Sequence, residues 1–99
     1  MSSDLPRSRD IGEYIALIDA FISNKIDAPE FEAAYLKAIK FEQRMLVDEV
    51  FSILQELFED ADAYVPYPEL RTDPEDLDDA QLRECAIRAR RSLNAIGYS

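Results

Sequence analysis

Glu56, Glu59, Asp60 and Asp62 stand together in one short stretch, and the spacing of Glu56 and Asp60 puts both on one face of a helix. Paired carboxylates do acid–base chemistry when burial drives their pKa values apart, which needs an apolar pocket around one of them. No such pocket is legible here. A second group, Asp73, Glu75, Asp76, Asp78 and Asp79, invites comparison with a calcium loop. It lacks the central glycine and the closing bidentate glutamate of an EF-hand, so Asp76 and Asp78 read as loop-solvating and helix-capping residues. The chain has no histidine. That removes the commonest general base and metal ligand, and it forbids a Ser-His-Asp, Cys-His or Cys/His zinc site. Cys85 falls on the apolar side of a helical pattern and reads as a small buried residue. The expectation is a chain with no catalytic residue, no bound metal and no cofactor.

What these carboxylates can do is meet a positive surface. From Glu59 to Glu84 there are ten acidic residues against two basic ones, Arg71 and Arg83, with Tyr64, Pro66, Tyr67 and Pro68 in the middle. This stretch holds most of the net charge of −10. Clustered acidity beside exposed aromatics marks a contact surface on which carboxylates stand in for phosphates and rings for bases. The acidic residues crowd the C-terminal end of a helix, where negative charge opposes the macrodipole. Such a departure from the stability optimum is typical of functional sites. The plainer alternative is a solvated helix end. An isoelectric point near 4.3 repels nucleic-acid phosphate and anionic membranes. No apolar run approaches the ~20 residues of a membrane span. Residues 1–10 have no apolar signal core, and a single cysteine fits a reducing compartment, so the expected location is cytoplasmic.

The elements that must hold this surface are helical. Two glycines in the chain leave little material for primed hairpin turns. Residues 1–9 read as a polar lead-in within a single domain spanning residues 1–99. Asp10 is placed to cap a first helix in which Ile11, Ile15, Ile18 and Ile22 recur with helical period, widened by Tyr14, Leu17 and Phe21. It should stop near Ser23 and Asn24. Asp27, with Pro29 in the first turn and Glu30 at the third position, writes a capping box, and Ile26 and Phe31 are placed as its hydrophobic staple. Phe31, Ala34, Tyr35, Ala38 and Ile39 mark the inner face of this second helix. After a break at Gln43 to Val47, Asp48 should cap a third helix with Val50, Phe51, Leu54, Leu57, Phe58 and Ala61 inward. It ends at Asp62 and Ala63, before Pro66 and Pro68.

A long loop from Tyr64 to Leu77, with a turn at Asp73 and Pro74, leads to a fourth helix. Asp78 is its cap, Gln81 the reciprocal partner, and Leu77 and Leu82 the staple. Leu82, Cys85, Ala86, Ala89, Leu93 and Ile96 face inward, and Gly97 follows the end. Arg88, Arg90 and Arg91 read as solvated and matched to the dipole. Tyr14, Phe21, Phe31, Tyr35, Phe51 and Phe58 read as core. The fold class is all-α, a small antiparallel four-helix bundle with a long loop between its third and fourth helices.

Three segments also carry a resemblance: Ile26-Asp27-Ala28-Pro29-Glu30-Phe31 with Tyr35-Leu36, Phe51 through Phe58 running into Asp60-Ala61-Asp62-Ala63-Tyr64, and Leu77 through Arg83. In order and spacing, over roughly residues 11 to 96, the chain resembles the colicin D-type immunity proteins of bacteriocin and contact-dependent growth-inhibition systems. The resemblance implies a helical bundle that is no enzyme and that binds one cognate toxin. In the founding case the toxin is a tRNA-cleaving ribonuclease whose basic active-site cleft is blocked. It implies that Glu56, Glu59, Asp60, Asp62 and Tyr64 face the toxin; Tyr67 and Glu69 of the loop are counted with them, and Pro66-Tyr67-Pro68 is where partner choice would be encoded. The expected partner is a basic toxin nuclease domain, with no direct nucleic acid and no membrane, and the free chain is a monomer or weak dimer. A helical adaptor that docks through an exposed apolar groove is the competing reading. A carboxylate hydrolase with a raised carboxyl pKa is a third.

Overall fold

Helix starts and stops written in the sequence account for most of the architecture. A computed structural model describes residues 10–98 apart from Arg71, Asp73 and Glu75. The polar lead-in 1–9 and the Asp73 half of the expected Asp73–Pro74 turn lie outside the described residues. Among the described residues there are four α-helices: α1 (Gly12–Ile22), α2 (Ala28–Lys40), α3 (Asp48–Asp62) and α4 (Asp79–Ala95). A 3₁₀ turn at Pro68–Leu70 interrupts the connection between α3 and α4. α1 and α3 each pack against both α2 and α4, so the helices close into a bundle around one core. No helix among the described residues is long and apolar enough to cross a membrane.

Both capping boxes form. Glu30 N–H donates to Asp27 Oδ1 at 2.9 Å, and Asp27 N–H reaches back to Glu30 Oε1 at 3.5 Å. Gln81 N–H donates to Asp78 Oδ1 at 2.7 Å, and Asp78 N–H to Gln81 Oε1 at 2.9 Å. Each box satisfies two of the backbone donors that a helix start otherwise leaves without partners. Asn24, with φ of 66°, takes the left-handed turn after α1, and Gly97, with φ of 114°, does so after α4.

Two starts differ from expectation by one residue. Ile11, not Asp10, precedes the first residue of α1, and the bond that Asp10 Oδ1 accepts from Gly12 N–H is a long one of 3.4 Å. Val47 precedes α3, so Asp48 is its first helical residue, where its charge suits the dipole.

The core is built from Ile11, Tyr14, Ile18 and Phe21 of α1 and its entry, Phe31 and Tyr35 of α2, Val50, Leu54, Leu57 and Ala61 of α3, and Leu82, Cys85, Ala86, Ala89 and Leu93 of α4. Phe31 lies between Phe21 and Tyr35 in a stack with centroid spacings of 4.6 and 5.3 Å, and Tyr14 meets Tyr35 edge-on at 5.9 Å. The Tyr35 hydroxyl donates to the Leu54 carbonyl at 2.8 Å, joining α2 to α3 inside the core. Phe51 corrects the expected core. It is 50 % exposed because the buried stripe of α3 runs through Val50, Leu54, Leu57 and Ala61, one residue away. Phe58 packs only against the edge of the core.

Polar clasps hold the outside of the bundle. Arg44 pairs with Glu42 at 2.7 Å and Glu13 at 2.9 Å, and donates to the Asp10 carbonyl at 2.5 Å. The Tyr14 hydroxyl reaches Glu42 Oε1 at 2.7 Å. Arg83 donates to the carbonyls of Phe21 at 2.6 Å and Ile22 at 3.3 Å, and its guanidinium lies 4.7 Å from the Phe21 ring centroid. It therefore caps the C-terminal end of α1 from α4. Arg90, expected to be solvated, instead pairs with Asp19 at 2.9 Å and donates to the Tyr98 carbonyl at 2.8 Å.

Candidate functional site

The outer side of α3 presents Glu56, Glu59 and Asp62 to solvent. No basic residue stands in its last turn, so the carboxylates there add to the negative end of the helix dipole. The bundle requires Leu54, Leu57 and Ala61 to face inward, and the same 3.6-residue period turns Glu56, Glu59 and Asp62 outward.

Asp60 lies on the flank facing α4. It is half-buried in a hollow of about 30 Å³ lined by Ile53, Glu56, Leu57, Asp60, Cys85, Arg88, Ala89 and Ser92. Burial, chiefly, pushes its carboxyl above the ordinary aspartate range; a hydrogen bond from Cys85 and the charge of Arg88 pull it back, and Glu56 and Glu59 push it further up. Burial also raises the Cys85 thiol, and the charge of Asp60 and its hydrogen bond with the thiol add to this. Arg88 Nη2 lies 3.3 Å from Cys85 Sγ. The thiol is thus held protonated and weakly nucleophilic. This partly apolar hollow around a carboxylate is not legible in the sequence, because α4 supplies half of its wall. It has room for about one water molecule and is far smaller than a pocket for a substrate.

The two tyrosines expected to face a partner separate, one buried and one exposed. Tyr64 is 3 % exposed, and its hydroxyl donates to Asp79 Oδ1 at 2.5 Å. Tyr64 and Leu77 form a parallel bridge in which Leu77 N–H donates to the Ala63 carbonyl and Val65 N–H to the Leu77 carbonyl, both at 3.0 Å. The segment expected to be an open loop is therefore closed at its base. Tyr64 as an exposed anchor is corrected: it extends the buried stripe Leu54, Leu57, Ala61 with helical spacing, a signal present in the sequence. Tyr67, by contrast, is 58 % exposed on the 3₁₀ turn that also carries exposed Glu69 and Leu70.

One further acidic residue joins this side of the molecule. Burial and then the charge of Asp62 raise the carboxyl of Glu32 on α2, the helix packed against α3. Nothing local in the sequence marks Glu32, because the neighbour that matters lies across a helix–helix contact. Asp78 and Asp79, in contrast, are occupied by the α4 cap and by Tyr64. The described residues contain no group of three or more His, Cys, Asp or Glu side chains placed to hold a metal ion.

A family described as bacterial self-protective colicin-like immunity matches residues 10–96. The chain belongs to this family. No curated protein sequence matches it. The matched region runs from the entry of α1 to the end of α4, so it includes the whole described bundle and the acidic face of α3. Membership in the colicin-like immunity family supports an immunity protein that neutralises a toxin, and it implies an inhibitor rather than an enzyme, with a cognate toxin protein as its partner. It selects that reading over the helical adaptor.

Proposed function

We propose that this immunity protein neutralises a toxin nuclease, with a tRNA-cleaving ribonuclease of the colicin D type as the specific expectation, by laying its acidic surface over the toxin's basic active-site cleft in the cytoplasm of the producing cell. The observation that carries this reading is the exposed carboxylate row Glu56, Glu59 and Asp62 on α3, continued by Glu69 and by the exposed ring of Tyr67. The row sits where the helix dipole disfavours it, and it has no basic neighbour in its own turn. Opposite charge steers encounter, and carboxylates desolvated against arginine or lysine hold the complex once formed. Asp60 contributes from the edge of the row, held by Cys85 and Arg88 rather than free to turn outward. Tyr64 serves indirectly, by fixing the base of the loop that presents Tyr67.

The test is protection. Cells making the cognate toxin should lose protection when Glu59→Lys and Asp62→Lys are combined, while the purified variant keeps its helical spectrum, because both side chains are exposed. Asp60→Lys is unsuitable, since it sets a second cation beside Arg88 in the α3–α4 hollow. Full protection by the folded double variant contradicts the proposal.

A further inference from the structure

Arg88 and Arg91 stand three residues apart on α4, and both are exposed. Residues at this spacing are neighbours on a helix, so the two guanidinium groups repel one another. Acidic residues outnumber basic ones 21 to 11, yet no ion pair among the described residues engages Arg88, Arg91 or Glu84, one turn ahead of Arg88. Arg88 Nη2 donates to Cys85 Sγ at 3.3 Å, a weak acceptor. The last turn of α4 holds no basic residue, so neither arginine is placed to match the helix dipole. Arg83 and Arg90 of the same helix, in contrast, clasp α1. Three hollows share walls across α4. Glu56, Asp60 and Arg88 line the small one at the α3 flank. Glu84, Ile87, Arg88 and Arg91 line the next, of about 370 Å³. Ile22, Ile87, Arg91 and Asn94 line the third, of about 390 Å³, on the α1 side. The sign of charge changes along this furrow. Glu56 and Asp60 outnumber Arg88 at α3, whereas two arginines face Glu84 alone in the middle hollow. In the third, Asp19 is already paired with Arg90 at 2.9 Å, which leaves Arg91 uncompensated.

We propose that the toxin surface covering Glu56 continues across α4, where a carboxylate of the toxin meets Arg88 and Arg91 beside an apolar side chain resting on Ile87. The inference rests on the toxin reading of the acidic row and adds a positive half to that contact. Continuity and charge select this occupant. Glu56 and Arg88 line one hollow, so a partner seated on the row also lies over Arg88, and Arg88 shares the next hollow with Arg91. A surface that is basic throughout is repelled there, so the covering surface carries an acid at that point. Nucleic-acid phosphate is a poor occupant on a chain of net charge −10. The two arginines thereby fix the register of the toxin and reject toxins whose clefts are uniformly basic, a discrimination that the carboxylate row alone does not provide.

Binding kinetics of the whole chain with its cognate toxin domain test this through two variants of equal charge. Arg91→Glu and Lys37→Glu each make the chain more acidic by the same amount, and Lys37 is exposed on α2, outside the furrow. Lys37→Glu should associate at least as fast as the parent, because steering toward a basic domain improves. Arg91→Glu, with an unchanged far-ultraviolet circular dichroism spectrum, should dissociate at least about tenfold faster. When the Asp and Glu residues of the toxin domain are replaced singly by lysine, one replacement should weaken the parent complex and restore Arg91→Glu to within about threefold of the parent pair. Equal binding by Arg91→Glu and Lys37→Glu overturns the proposal, and it leaves the acidic row standing where Glu59→Lys with Asp62→Lys still abolishes binding. A row variant that binds like the parent while Arg91→Glu is impaired contradicts the row and overturns the register with it. Failure of every toxin lysine to restore binding overturns the carboxylate as occupant. Self-association of the free parent that Arg91→Glu abolishes, read by sedimentation velocity, gives the furrow to a second copy and overturns the proposal as well.

Discussion

Tyr64→Ala should destabilise the fold even though Tyr64 lies inside the acidic stretch proposed to face the partner. The ring is 3 % exposed, so removing it leaves a cavity, and large aromatic truncations of this kind cost about 3–5 kcal/mol. The lost hydroxyl bond to Asp79 contributes only a part of that. Asp79 is itself exposed and regains water, so Tyr64→Phe should cost about 1 kcal/mol. Tyr67→Ala, at an exposed position, should stay within about 0.5 kcal/mol of the parent. In a domain of this size 1 kcal/mol moves Tm by about 4–8 °C, so the alanine variant at Tyr64 should melt at least ~12 °C lower. Urea unfolding followed by far-ultraviolet circular dichroism measures all three, provided that the slope with denaturant is unchanged. A Tyr64→Ala variant within about 0.5 kcal/mol of the parent, the margin a surface site allows, refutes the assignment of Tyr64 to the core.

Two other substitutions test the clasps around the bundle. Its hydrogen bond to Arg44, chiefly, holds the Glu42 carboxyl at about 2 against an ordinary 4.5. A lowered carboxyl pKa stabilises the fold above the ordinary value, and the benefit disappears as pH falls from 4.5 towards about 2. The shift sets an upper bound of about 3 kcal/mol, and solvent around the partly exposed Arg44 reduces this to about 1–2. Glu42→Gln should therefore be less stable than the parent by that amount at pH 7 and equal to it near pH 2, measured by urea midpoints; a gap that does not narrow with acid contradicts the pairing. Arg83→Met keeps much of the stem but removes the guanidinium bonds to the Phe21 and Ile22 carbonyls, leaving Phe21 only its bond from Asn24 N–H, and it should cost about 1–3 kcal/mol by the same assay, whereas an unchanged midpoint shows that water replaces the guanidinium without loss.

Local chemistry was legible wherever one segment carries all the information. The boxes at Asp27 with Glu30 and at Asp78 with Gln81 can be read from four consecutive residues, and both form. The buried stripes of all four helices follow from their period, including Cys85 on the inner face of α4. Errors arose at the edges of those stripes. Phe51 sits one residue off the buried line of α3 and stays half exposed, while Tyr64 sits on that line beyond the end of the helix and is buried. Hydrophobicity predicted burial for the first and the neighbouring acidity predicted exposure for the second; in each case angular position decided. The candidate site was legible as an acidic face on α3, but its flanks were not. Glu32 beside Asp62, and Arg88 with Cys85 beside Asp60, become neighbours only when helices distant in sequence pack together.

Amide hydrogen exchange of the chain, free and bound to its cognate toxin domain, tests the interface most directly. The acidic face should account for the footprint: slowed exchange across residues 56–62 of α3 and the 67–70 turn, and none from Lys37 at the end of α2 to Met45 in the connection after it. Protection confined to the α2–α3 connection, with the acidic end of α3 unchanged, contradicts the claim that this immunity protein holds its toxin through the carboxylate row.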